Sequence, residues 1–236
     1  MLIAKALSEV GYVRKNNEDN YLMSTEQGLF VVADGMGGHA GGGLASSMVK
    51  QVLSEELLPL APEVDGAQEL LRALIKANLL IWRQGQSNYL GMGTTVTAAL
   101  FEGSHLFIAH IGDSRAYLFR EGHLHLLTQD HSLVNELVQK GEITEAEAAK
   151  HPRRNVLTRA LGASENPQID LLHFTVQKDD YLLLCTDGLY NQVKEAELTT
   201  LLTENCPLGV QVEKMVDLAL RRGGNDNITA ILVHYL

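Results

Sequence analysis

Residues 29–43 read LFVVADGMGGHAGGG: a short apolar run, an aspartate, then six glycines among the nine positions from Gly35 to Gly43. The run describes a strand that ends on a carboxylate. Glycine at such density is costly in backbone entropy, and it marks a tight turn or a close approach to a ligand. Two ligands fit, a nucleotide phosphate and a metal ion, and they ask opposite charges of Asp34. Under the first reading, GMGGHA at 35–40 is the G-x-G-x-x-G/A turn of a dinucleotide-binding domain, with Glu55 twenty residues past Gly35. Under the second, Asp34 is one ligand among several.

The surroundings separate the two. Strand-like runs dominate the chain, at 2–7, 20–24, 29–33, 94–101, 105–111, 115–120, 168–176, 180–185 and 228–236. Hairpin-length turns such as EGS at 102–104 and EGH at 121–123 favour antiparallel pairing. Helical spacing follows the glycines, in Leu44, Met48 and Val52 and again in Leu71, Leu74, Ile75, Asn78 and Trp82. A second helical pair is expected at 194–204 and 210–221. Between these lie two small helices, the second opened by a Thr144/Glu147 capping box. Strands in hairpins with helices in separate pairs predict an α+β layered domain, and no linker or repeat divides 1–236.

Isolated acids recur beside these strands. Asp34 ends LFVVA, Asp113 ends HLFIAHIG, Asp187 ends YLLLCT, Asp226 opens the last strand, and Glu18 and Asp19 precede NYLMS. One Asp-Gly is an ordinary turn signal. Five such sites flanking apolar strands are better explained by convergence, and converged carboxylates repel unless a cation lies among them. Oxygen ligands without a Cys/His cluster suit Mg²⁺ or Mn²⁺ rather than zinc. A phosphate reading of the glycine turn would aim the charge of Asp34 at a pyrophosphate and leave the other acids unexplained.

The chain of 236 residues has 45% apolar and 20% charged residues and a formal net charge of −10, which describes a globular domain with no nucleic-acid or anionic-membrane surface. No apolar stretch reaches membrane-spanning length and the N-terminus lacks a signal-peptide pattern, so the expected compartment is the cytoplasm. The two cysteines, Cys185 and Cys206, form no disulfide framework and neither begins a Cys-x5-Arg loop. Cys185 reads as a small buried hydrophobe.

The ordered set RKNNED (14–19), VVADGMGGHAGG (31–42), GMGTT (91–95), IGDSR (111–115), CTDGL (185–189) and GGNDNIT (223–229) resembles the metal-dependent serine/threonine phosphatases of the protein phosphatase 2C type. It is most similar to the compact bacterial members of Gram-positive organisms, which share a segment like DHSLVNELVQKGEIT. The resemblance runs end to end. It implies an αββα sandwich of two antiparallel sheets with helices outside, and a flap-like insertion at about 131–165. It also implies hydrolysis of phosphoserine and phosphothreonine by a water activated between two Mn²⁺ or Mg²⁺ ions.

By the same resemblance Asp34 bridges the ions, the Gly35 carbonyl binds one, and Asp187 and Asp226 complete the other's shell. Glu18 and Asp19 contribute directly or through water, and Arg14 holds the substrate phosphate. Asp113 by itself reads as a turn-capping acceptor paired with Arg115; the resemblance makes it, with Asp187, the holder of a third, weaker ion. Many eukaryotic relatives carry a histidine directly after the Asp-Gly, where this chain has Met36. The nearest titratable candidate for the leaving-group proton is His39, which reads equally as a helix-entry histidine with a structural hydrogen bond; a metal-bound water is the other candidate donor. A scaffold that has lost catalysis would have lost an acid, and none is lost here. A monomer is expected, with phosphoproteins as substrates and a cognate Ser/Thr kinase and its targets among them. Arg153 and Arg154 in the flap either attract phosphate or are solvated.

Overall fold

The structure, a computed structural model, describes residues 1–37, 41–58, 64–87 and 89–236. In chain order the first half comprises β1 (Leu2–Glu9), β2 (Asp19–Ser24), β3 (Leu29–Met36), α1 (Gly41–Leu57), α2 (Gly66–Ser87), β4 (Gly93–Thr94), β5 (Val96–Glu102), β6 (His105–Ile111), β7 (Arg115–Arg120) and β8 (His123–Leu126). The second half comprises α3 (Leu133–Gln139), α4 (Glu145–Ala148), β9 (Asp170–Thr175), β10 (Asp180–Cys185), α5 (Asp187–Tyr190), α6 (Glu195–Thr203), α7 (Leu208–Arg221) and β11 (Ile228–Tyr235).

One sheet has the order β1-β11-β10-β7-β8. The other runs β2-β3-β5-β6-β9, with β4 added on the end of β3. Every pairing is antiparallel, which removes the parallel sheet that a dinucleotide-binding unit requires. Glu55 is exposed on α1 and accepts a bond from Gln51 one turn earlier.

The layers follow from the period of two in the strands. In β3, Leu29, Val31 and Ala33 pack against α1 and α2, while Phe30 and Val32 face the opposite sheet. In β10, Leu183 and Cys185 meet α6 and α7, and Leu182 and Leu184 join Phe30 in the inter-sheet layer. Three apolar layers between four layers of secondary structure are the expected αββα sandwich. Phe30 is fully buried and meets Phe101 edge-on at 5.8 Å and 87°; truncating it to Ala would cost ~3–5 kcal/mol.

Several boundaries differ from expectation. β3 continues past Asp34 to Met36, so Asp34 lies within a strand and not at its end. Asp187 opens the short helix α5 rather than closing β10. The expected strand at 94–101 is split at Thr95 between β4 and β5. The four-residue β8, HLHL, is too short and too polar to stand out in the sequence.

The glycines bring two stretches of backbone together. A Cβ on Gly35 would lie 2.1 Å from the Gly42 carbonyl oxygen, and one on Gly42 would lie 2.6 Å from the Gly35 carbonyl carbon. The first turn of α1 can therefore press against β3 only if both positions lack side chains. Segment 131–165 carries α3 and α4, with the Thr144/Glu147 capping box present as expected. Its two roots are clasped by the Ser132–Leu157 bridge and by Leu133 N–H donating to Val156 C=O at 2.9 Å.

Candidate metal centre

Asp19 and Asp34 are direct partners in the β2–β3 register. Side chains of directly opposed residues share one face of the sheet, where like charges destabilise the pair. Asp187 and Asp226 arrive from the other sheet, on α5 and on the loop before β11. Asp113 comes from the turn between β6 and β7. Asp34 feels the charges of Asp19, Asp187, Asp113 and Asp226. Asp34 retains some solvent-facing surface, while its carboxyl is packed by protein on its other sides.

The electrostatic consequence runs the same way for Asp34, Asp113, Asp19 and Asp187. Burial, then repulsion from these neighbours, pushes Asp34 well above the ordinary carboxylate range. Burial pushes Asp113 up to about 8, with Asp187 and Asp130 adding to it. Asp19 rises to about 7 by burial, against the two hydroxyls that favour its charge. Asp187 rises to about 6, by burial and then by Asp226, with Arg14 opposing.

Hydroxyl groups that the sequence reading did not single out position these acids. Asp19 Oδ2 accepts from Thr186 Oγ1 at 2.8 Å and Thr229 Oγ1 at 2.6 Å, bonds that span 167 and 210 residues. Thr95 receives the Asp34 N–H on its Oγ1 at 3.0 Å and shares a 2.7 Å bond with Ser114 Oγ, so one hydroxyl links the Asp34 strand to the Asp113 turn. Asn227 donates to Val10 C=O and Asn16 C=O and accepts the Glu18 N–H at 2.8 Å. That side chain pins the loop carrying Arg14 and Glu18 beside Asp226. Asn227 and these threonines lie inside the motifs GMGTT, CTDGL and GGNDNIT, but nothing in those motifs says which acid each one holds.

Gly35 lies beside Asp34 with its N–H on Glu18 C=O at 3.2 Å. Arg14 makes a two-pronged pair with Asp226. Arg115 does not pair with Asp113: it grips Asp130 through Nε and Nη2 at 2.9 and 2.7 Å and lies 3.9 Å over the Tyr190 ring. Arg14, Asp113, Asp187, Asp226 and Arg154 open onto one cleft of about 1060 Å³, roofed by α3 and α4. Arg153 is not on that wall. His39 lies outside the described residues. Cys185 is fully buried and its thiol is pushed up to about 12 by burial, as an inert core residue.

Two buried oxygens, Asp19 Oδ1 and Asp187 Oδ1, have no hydrogen-bond partner among the described residues. Leaving a charged acceptor buried and unpaired is costly, and a hard cation is the partner that acid oxygens of this kind take. Among the described residues, no three His, Cys, Asp or Glu side chains are arranged to hold one ion by themselves. Ions that share a bridging carboxylate and complete their shells with water and a backbone carbonyl need fewer acids each.

A family model described as protein phosphatase 2C matches residues 12–231. This chain belongs to the protein phosphatase 2C family. It is a serine/threonine protein phosphatase, in a fold of two antiparallel sheets and flanking helices. It is 37% identical to the serine/threonine phosphatase stp of Listeria innocua over 238 residues, covering 98% of this chain and 94% of that one. The structure of the Streptococcus agalactiae serine/threonine phosphatase superposes with a TM-score of 0.94 at 38% identity, over the full length of both chains. The catalytic domain of the phosphatase PstP, solved in complex with two manganese ions, gives 0.90 at 36% identity over 99% of this chain and 97% of its own. The acids of this phosphatase suit the metal dependence of its family: they are oxygen donors, mutually repelling and incompletely hydrogen-bonded. No helix among the described residues is long and apolar enough to cross a membrane.

Proposed function

We propose that the phosphatase hydrolyses phosphoserine and phosphothreonine in proteins at a binuclear Mn²⁺ or Mg²⁺ centre. The observation that carries this reading is the direct opposition of Asp19 and Asp34, one with an unpartnered buried oxygen. Asp34 would bridge two ions, with the Gly35 carbonyl on one and Asp187 and Asp226 on the other. Glu18 and Asp19 would hold the assembly directly or through water, and Asp113 with Asp187 would take a third, weaker ion. When bound, the ions supply an activated water and neutralise phosphoryl charge during in-line attack.

The remaining work falls to the chain. Arg14 stands at the cleft mouth with a guanidinium fork already satisfied by a carboxylate, and a phosphate presents the same paired acceptors. The hydroxyls of Thr186 and Thr229 hold Asp19 in one orientation, so little reorganisation is needed when substrate arrives. His39 is the candidate to protonate the departing Ser or Thr oxygen. The segment 131–165, within a single catalytic domain, would contact the phosphoprotein through the cleft wall that includes Arg154. A monomeric cytoplasmic enzyme reversing a cognate Ser/Thr kinase is the cellular role that fits.

Hydrolysis of a phosphothreonine peptide and of p-nitrophenyl phosphate, with Mn²⁺ and with EDTA, tests the reading. Turnover that survives EDTA, or none with Mn²⁺, rejects it.

A further inference from the structure

His131 begins the flap segment, is 5% exposed, and has no place in the metal centre. Its backbone N–H donates to Gly112 C=O at 2.7 Å, and its Nδ1 accepts the Gly112 N–H at 3.1 Å. One residue thus clamps both peptide groups of the glycine that precedes Asp113. Gly112 needs a clamp: its φ is +108°, and a Cβ there would lie 2.6 Å from the Thr95 side chain.

The Gly112 bond fixes the tautomer. Nδ1 has no proton, so Nε2 carries it and donates to Asp170 Oδ2 at 3.1 Å. Burial lowers the His131 pKa despite Asp170, which keeps the ring neutral and Nδ1 free to accept. Arg159 Nη1 donates to the other oxygen of Asp170 at 3.2 Å. Its 3.3 Å approach to His131 Nε2 sets two donors side by side and is no bond. Thr158 N–H reaches His131 C=O at 2.8 Å. His110 packs on the imidazole at 4.9 Å, its ring set between Thr97 Oγ1 and Gln129 C=O. Thr97 in turn donates to Ser114 C=O at 2.7 Å, on the far side of Asp113.

We propose that His131 is a positioning residue for the phosphatase reaction, which ties the Asp113 turn to both roots of the flap and so sets the place of the Asp113 carboxylate. The Asp170–imidazole–Gly112 chain makes the turn and the flap root one mechanical unit. A phosphoprotein pressing on 132–157 acts through it on Asp113. The proposal rests on the reading of Asp113 as a residue of the metal centre.

His131→Ala removes both bonds of the ring, whereas His131→Asn puts an amide oxygen where Nδ1 stands and loses only the link to Asp170. Amide hydrogen exchange of the full chain, Mn²⁺ calorimetry and steady-state kinetics on a phosphothreonine peptide are measured for each. For the Ala variant, amides 110–115 exchange about tenfold faster, the loss expected for one buried hydrogen bond. Its tightly bound Mn²⁺ is retained, and kcat falls about tenfold while KM stays within about twofold. The Asn variant recovers most of the protection and most of kcat. Unchanged exchange at 110–115 in the Ala variant overturns the proposal. So does faster exchange spread evenly over the chain, and so does an Asn variant no better than Ala. Asp113→Ala is run alongside: full turnover there removes Asp113 from the reaction, while the exchange comparison still decides whether His131 holds its turn.

Discussion

Arg14 and Asp226, 212 residues apart in sequence, face each other as a fork on a carboxylate, with Nε on Oδ1 and Nη2 on Oδ2 both at 2.8 Å. The residue expected to hold phosphate is therefore engaged with a residue expected to hold metal. Both side chains keep solvent access, 54% and 33%, so the pair can part when a ligand arrives.

Arg14→Ala removes the fork and leaves Asp226 free. KM for a phosphothreonine peptide should rise roughly tenfold to a hundredfold, the worth of a charged hydrogen-bonded pair, with a smaller fall in kcat. Arg14→Lys should restore only part of it, because an ammonium lacks the planar pair of donors. Steady-state kinetics decides, and an unchanged KM returns Arg14 to the surface. The Ala variant should also bind Mn²⁺ more tightly by calorimetry, since no guanidinium competes for Asp226.

Asp34→Asn replaces the central carboxylate by an amide that cannot bridge two dications. Turnover with Mn²⁺ should fall about a thousandfold or more, as the loss of several kcal/mol of charge stabilisation implies. Without metal the same variant should melt higher than the parent, because Asp34 no longer opposes Asp19 and its neighbours. A variant that keeps most of its Mn²⁺-dependent rate would show that Asp34 is not the bridge.

Metal-free stability should depend on pH with a sign opposite to that of an ordinary salt-bridged protein. Asp187, Asp19 and Asp113 are raised to about 6, 7 and 8, above the ~3.9 of an unfolded aspartate. Between those limits the folded chain holds more protons than the unfolded one. These groups therefore favour the fold fully below pH ~4, and that contribution is lost as pH rises through about 8. Thermal melts in EDTA should show a falling Tm over this window, and saturating Mn²⁺ should flatten the fall. Mn²⁺ affinity should rise with pH over the same range, since binding displaces protons.

Asp113→Ala should leave the fold and the tightly bound ions intact while cutting turnover on phosphopeptides about tenfold to a hundredfold, because few charged ligands bind an ion weakly. Calorimetry counts the sites and a rate assay on the same sample gives the activity. Undiminished turnover, or loss of all metal binding, contradicts the assignment.

What could be read without coordinates was whatever a short stretch of chain encodes. LFVVA is apolar at every position because β3 is covered on both faces, by helices through Leu29 and Val31 and by the other sheet through Phe30 and Val32. The capping box at Thr144 is complete within four residues. The acids of the centre were legible because each sits at a break in an apolar run, and their spacing matched a family.

Partnership across the fold was not legible, because it depends on which strands pair and in what register. That Asp19 stands opposite Asp34 follows from β2–β3 pairing. That Thr186 and Thr229 hold Asp19 requires the two sheets to meet. Arg115, two residues from Asp113, reads as its partner, yet strand β7 carries it to Asp130 and the Tyr190 ring. The glycines of 35–43 announce close approach, but only the packing of α1 on β3 reveals that Gly35 and Gly42 approach each other. Local chain chemistry selects strands, turns and caps; the hydroxyls and cations that neutralise buried acids are chosen by three-dimensional proximity, which no spacing along the chain records.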